Sequence, residues 1–337
     1  MSLSRSRLSR LSIVALKCGS TILSLTVAIV IALLLWQNRE ALHEATQAPA
    51  HLWLLPVAIY LVILAAKGLS FDILANTFDV RVPLVESIGI TASGLLGNYL
   101  LPGNASLPVR TLYLQRVHGL SYRDFIPIAL AAFIFCTGIY GILTGLLALV
   151  NGPVGSEIYN YVISAMGFGG ALLIVATLFP IRLVKLFGFD PGRYLKGWRQ
   201  FLHSPFLPWL WLAIELLRAG LEVGFAYTVL RILQVNAPVG QVAIMTLAKE
   251  CSVILRITPG SFGVAEGVQV FFAAVFGIDV PSVLLSALIM RVIELGWSGL
   301  ISILLMTRLI GKMGKVGLLV APMPVRGVPS SPRIQAD

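Results

Sequence analysis

The chain has 337 residues, of which 57% are hydrophobic and only 12% charged, and its mean hydropathy is +0.89. A soluble domain carries roughly a quarter charged residues, so the composition excludes a water-soluble globule and indicates a polytopic helical membrane protein. The net charge of +10 does not point to nucleic acid. Its cations cluster in short connections between apolar runs, as cytoplasmic loops facing anionic headgroups do.

In chain order, a basic head (Arg5, Arg7, Arg10, Lys17) leads into an apolar run ending at Trp36. That run is longer than a signal-peptide core, so a retained first span is expected at about residues 12–36. Further spans are expected at about 52–75, 124–150, 158–179, 206–233 and 281–310, since about 20 apolar helical residues cross a bilayer. Two apolar stretches, Val85–Gln115 and Val242–Gly277, are each broken in the middle by Pro-Gly, at Pro102-Gly103 and Pro259-Gly260. Neither half reaches about 20 residues, so each is expected as a helix–break–helix that enters and returns on one side. A pair of short crossings would leave the same loops on the same sides. Ile181–Leu202 mixes bulky apolar residues with cations and is expected along the cytoplasmic interface. Residues 318–337, rich in Pro and Ser, are expected as a disordered cytoplasmic tail after a single membrane domain, 1–317.

Placing the N-terminus in the cytoplasm puts most of the 25 Lys and Arg on the inner side, and only Arg39 and Arg231 in outer loops. This predicts an N-in, C-in protein. The two broken stretches also resemble each other when aligned on Pro-Gly. Each half, about 12–150 and about 158–310, then contains two spans, a broken hairpin and a third span. An odd number of crossings per half makes this an inverted repeat, an architecture of transporters whose site lies between the halves.

Charges inside apolar segments are costly unless paired or facing water, so they are the functional candidates. Glu215, Arg218 and Glu222 share one helical face, and the spacing lets Arg218 bridge both acids. Arg291 and Glu294 also share a face, as do Lys249 and Arg256, whereas Lys67 and Asp72 lie about 140° apart at ~100° per residue. The bland reading is a set of interhelical ion pairs. Around the breaks, backbone geometry adds a reason for function: a helix starting after Pro-Gly exposes free N–H groups and a positive dipole end. Ser261, and Asn104 or Ser106, are placed to cap such starts. Arginine matches phosphate geometry, so Arg110, Arg256, Lys249 and Arg291 with Asn104 and Ser261 are expected to bind an anionic lipid headgroup. Glu250, Glu266 and Glu294, and the Glu215–Arg218–Glu222 group, are expected as counter-charges or coupling groups.

At these residues the sequence resembles the transmembrane region of lysylphosphatidylglycerol synthases. GNYLLPGNASLPVR carries the family's Asn-x-x-x-Pro-Gly and later Arg on Asn98, Pro102, Gly103 and Arg110. ITPGSFGVAEG carries Pro-Gly-x-x-Gly-x-x-Glu on Pro259, Gly260, Gly263 and Glu266, with Arg291 on the later arginine. The resemblance implies a region that moves a charged phospholipid between leaflets. The aminoacyl transfer of full-length relatives belongs to a cytosolic domain, and this chain stops soon after its last span, so synthase activity is not implied. The sequence departs from the family at Leu107-Pro108, where an acid is usual.

The function expected is a flippase-like transporter of an anionic phospholipid or lipid-linked intermediate in the cell (inner or plasma) membrane. The alternatives are a membrane-embedded lipid or glycan transferase and a non-catalytic partner of an envelope-lipid assembly. An enzyme wants a nucleophile–base or metal constellation, and His43, His51, His118 and His203 are isolated. Cys18, Cys136 and Cys251 form no CxxC or Cys/His cluster, so neither metal nor cofactor is expected. A homodimer and envelope-biosynthesis proteins are the protein partners open to such a chain.

Overall fold

The computed structural model describes residues 36, 49–100, 106–151, 157–178, 196–255 and 259–319, with backbone alone at 100, 255, 259 and 306–319. Every element among them is helical. In chain order they are α1 (Ala50–Asn76), α2 (Leu84–Leu100), α3 (Ser106–His118), α4 (Tyr122–Asn151), α5 (Glu157–Leu178), α6 (Lys196–His203), α7 (Leu207–Ile232), α8 (Val239–Ser252), α9 (Val264–Phe276) and α10 (Val280–Leu319). Two 3₁₀ turns, Val253–Leu255 and Pro259–Ser261, lie between α8 and α9.

Among the described residues, α1, α4, α5 and the Val280–Leu305 part of α10 are long and apolar enough to cross a membrane. They coincide with four of the six expected spans. The expected span at 206–233 forms the 26-residue helix α7, whose central Glu215, Arg218 and Glu222 keep it out of that class. The first expected span lies outside the described residues. Pro56 and Pro127 fall inside α1 and α4; membrane bundles tolerate such breaks where neighbours re-satisfy the backbone.

The second broken stretch is helix, break, helix: α8 ends in a 3₁₀ turn and α9 starts after Gly263. Gly260 (φ 61°), Ser261 (φ 56°) and Gly263 (φ 82°) all adopt left-handed backbone here, which ends a helix abruptly. The first stretch is α2 and α3, flanking residues 101–105, so Pro102, Gly103 and Asn104 lie outside the described residues. In both stretches the two halves fold back and pack on each other.

The packing between elements is reciprocal. α1 packs on α7, α2 on α10, and α8 on α4, while α1 meets α2 as α7 meets α8. The α4–α5 seam is held by small residues, as membrane interfaces favour. A methyl added at Gly141 would lie 2.6 Å from the Met166 carbonyl, and one at Gly170 would lie 2.6 Å from the Gly138 carbonyl.

α6 is the described part of the segment expected along the interface. It inserts Trp198 and Phe201, each 1% exposed, beneath α4, α5 and α7, and Trp198 Nε1 donates to the Thr177 carbonyl at 2.9 Å. Residues 181–195 of that segment lie outside the described residues, as do 320–337 of the expected tail. α10 runs to Leu319, beyond both its expected end and the expected domain boundary.

Two apolar cores fill the bundle. One gathers Phe71 and Leu74 of α1, Tyr113 and Leu114 of α3, Phe125 and Ile128 of α4, and Trp211 and Ile214 of α7. The other gathers Tyr60 and Ile63 of α1, Phe225 and Val229 of α7, Val242 and Met245 of α8, Phe272 of α9 and Met290 of α10. Lys67 falls between the cores on α1, and Glu215, Arg218 and Glu222 fall between them on α7. The charges therefore occupy a layer near the middle of these helices.

Candidate functional site: a charged layer around an internal cavity

A cavity of about 280 Å³ opens within this layer, lined by residues of α1, α2, α3, α4, α7, α8, α9, α10 and the second break. Its charged walls are Lys67, Arg110, Glu215, Arg218, Lys249, Glu250, Glu266, Arg291 and Glu294. Isolated charges at this depth would each be costly, and the structure meets that cost with pairs.

On α7, Arg218 pairs with Glu215 (Nη2 to Oε2, 2.7 Å) and reaches Glu250 of α8 at 3.9 Å. It does not bridge both α7 acids. Glu222, 2% exposed, instead pairs with Lys67 of α1 at 2.9 Å. The physical reason is the tight α1–α7 contact, which brings a lysine from a different helix nearer than the arginine one turn away. Glu215 is further held by Ser70 Oγ at 2.7 Å and the Cys136 thiol at 3.2 Å, and Trp211 Nε1 donates to Ser70 Oγ at 2.8 Å. Arg218 also stacks on Tyr140, 5.4 Å from the ring centroid. Lys249 pairs with its chain neighbour Glu250 at 3.3 Å.

At the second break, Arg291 of α10 is clamped from several directions. Its Nε pairs with Glu266 Oε1, its Nη1 donates to the Gly260 carbonyl at 2.8 Å, and its guanidinium lies over the rings of Phe262 (4.2 Å) and Tyr99 of α2 (5.5 Å). Glu266 also holds the start of α9, where its Oε2 accepts the Gly263 N–H at 2.8 Å. That start is thus capped by Gly263 and Glu266, not by Ser261, because the left-handed Gly263 is the residue that enters the helix. Ser261 is buried on the cavity wall instead.

At the first break, Ser106 is the first residue of α3, and its N–H donates to Asn98 Oδ1 of α2 at 2.8 Å. A side chain from the preceding helix therefore satisfies the amide at this start. Arg110 stacks on Phe71 at 5.3 Å and its Nη2 lies 3.4 Å from Thr91 Oγ1. Tyr99 OH donates to Glu294 Oε2 at 2.6 Å. Asp72, away from the cavity, accepts the Val82 N–H at 2.7 Å, in keeping with its angular separation from Lys67. Arg256 lies outside the described residues.

Cavity residues that the sequence did not single out as site residues include Lys67, Ser70, Tyr99, Tyr140, Trp211 and Gln269. Lys67 carried a usable signal, a cation inside an apolar span. The neutral and aromatic side chains carried none, because in an apolar helix they look like ordinary packing.

Apolar spanning helices around an internal charged cavity define a multi-pass membrane protein with a polar site inside its helix bundle. The chain matches the family model for the lysylphosphatidylglycerol synthase TM region over residues 21–302, and it belongs to that family. No curated protein matches the chain.

Proposed function

We propose that the protein is a flippase-like transporter that moves an anionic phospholipid or lipid-linked intermediate between the leaflets of the cell membrane. The observation that carries this reading is the cavity, lined by Arg110, Arg218, Lys249 and Arg291 from four helices and both broken stretches. A phosphate entering it meets arginines that match its geometry. The acids that now hold Arg218, Lys249 and Arg291 are released as the headgroup takes their place. Pre-paired charges of this kind keep the empty cavity stable without closing it to an anion.

The reading includes six spans and two inverted halves, about 12–150 and about 158–310. The reciprocal packing supports the repeat: α2 lies on α10 of the other half as α8 lies on α4, and α1 and α7 meet each other. It also includes two hairpins that enter from opposite faces and turn back inside the membrane. Tyr99, three residues before the first Pro-Gly, packs on Phe262 at 5.8 Å, and a methyl on Gly260 would come within 2.5 Å of its ring. A contact between breaks reached from opposite faces favours hairpins that both stop partway. Pairs of short full crossings would put them roughly 30 Å apart.

The test is reconstitution. Proteoliposomes holding fluorescently labelled phosphatidylglycerol, phosphatidylserine, phosphatidylethanolamine or phosphatidylcholine in one leaflet are assayed by quenching from outside. Anionic probes are expected to equilibrate faster than in protein-free vesicles. Arg110→Ala and Arg291→Ala are expected to lose most of that rate. Movement of every probe at the protein-free rate would sink the proposal.

A further inference from the structure

Five acids border the charged layer, and four are neutralised by a cation: Glu215 by Arg218, Glu222 by Lys67, Glu250 by Lys249, and Glu266 by Arg291. Glu294 is different. Among the described residues it makes no ion pair, and its partner is the neutral Tyr99 hydroxyl at 2.6 Å. Arg291, one turn before it on α10, is turned away to Glu266 and the Gly260 carbonyl. Yet Glu294 is only half-buried and faces the cavity.

We infer that Glu294 carries a proton across with the lipid, so that transport is proton-coupled with this carboxyl as the coupling site. The inference rests on the transport reading above. Protonating any of the other four acids would unmake an ion pair, whereas protonating Glu294 unmakes none among the described residues. An anionic headgroup drawn to Arg291 would also bring a second negative charge beside Glu294. Protonation removes that repulsion. One O–H bond forms on Glu294 where the headgroup enters and breaks where it leaves, and no other reactant is needed. A monoanionic headgroup and one proton then cross with no net charge, which avoids moving a bare charge through the bilayer.

Charged and titratable groups face Glu294 from several helices. From α2 comes Tyr99, from α1 come Tyr60 and Lys67, from α8 comes Lys249, and from α10 itself comes Arg291, all within electrostatic reach. Glu222 of α7 pairs with Lys67, while Glu250, Glu266 and Arg110 share the cavity wall.

The experiment uses the full chain in proteoliposomes with labelled phosphatidylglycerol, a pH gradient and an entrapped pH dye. With one proton per lipid, the steady-state leaflet ratio is expected to shift about tenfold per unit of gradient, the factor that equals one pH unit of driving force. Proton entry is expected only when phosphatidylglycerol is present. Glu294→Gln is expected to lose the gradient response and Glu266→Gln to keep it, whatever their rates. A wild-type protein that moves lipid with no response to the gradient overturns this inference and leaves the transport reading standing. A wild-type protein that moves no lipid overturns the transport reading itself. A response that survives Glu294→Gln, or disappears with Glu266→Gln, also overturns the assignment. If Glu294→Gln is unable to move lipid, wild-type proton entry decides: lipid-dependent acidification supports coupling, and its absence overturns it.

Discussion

Lys67 and Glu222 meet at 2.9 Å between α1 and α7, with the acid 2% exposed. Removing one member of such a pair leaves a buried, unmatched charge, which costs about 3–5 kcal/mol, whereas removing both is often nearly neutral. Lys67→Met is therefore expected to lower the melting temperature of the detergent-solubilised protein by several degrees, and Lys67→Met with Glu222→Gln to restore most of it. Equal losses in the single and double variants would mean that the pair does not couple the two helices. At this scale the sequence was informative about charge and poor about partners. An arginine flanked by two acids on one helical face predicted a local triad, because spacing along one helix is all that a sequence can measure. The partner that wins comes from a helix well over a hundred residues away, and only packing brings it there. Asn98 is a milder case: its place in the family motif was readable, but its bond to the Ser106 amide required the two helices to fold back.

At the scale of the element, Pro-Gly foretold the second break, and the structure adds how it is made. Gly260 has φ 61°, and a methyl there would come within 2.5 Å of Tyr99 Cδ1. Gly260→Ala meets both problems at once: left-handed backbone costs a side-chain-bearing residue about 1–2 kcal/mol, and Tyr99 must move off the Arg291 clamp. The variant is expected to melt lower and to move lipid more slowly. Tyr99→Ala in the same background should recover melting temperature by making room for the methyl. No recovery would show that backbone strain alone accounts for the loss. The cap was missed for a related reason. Serine after Pro-Gly is a good capping residue in general, but two left-handed residues delay the helix until Gly263, which gives the cap to Glu266. The long apolar helices were legible because each carries its own evidence in length and hydropathy. The burial of Trp198 and Phe201 in α6 was not legible, since in eight residues such aromatics look the same whether they face lipid headgroups or a core.

At the scale of the whole molecule, the topology depends on which loops share a side. If each broken stretch returns to the face it enters, Arg81 and Arg123 flank the first on the inner face, and Asn236 and Asp279 flank the second on the outer face. All four are exposed. Single cysteines at these positions, in a background lacking Cys18, Cys136 and Cys251, are expected to divide cleanly. A membrane-impermeant maleimide on intact cells should label Asn236→Cys and Asp279→Cys. Arg81→Cys and Arg123→Cys should react only after permeabilisation. A split within either pair would mean that the broken stretch crosses the membrane once, which would reverse every later helix and undo the inverted repeat. The same labelling bears on depth, because it fixes the faces from which the two breaks are entered. With the pairs on opposite faces, the contact of Tyr99 with Gly260 and Phe262 must lie inside the bilayer, within reach of Arg291 and Glu294. On the proposed transport reading, that geometry would offer a headgroup one internal station between the leaflets, reached from either side by rocking one half against the other across the α1–α7 contact.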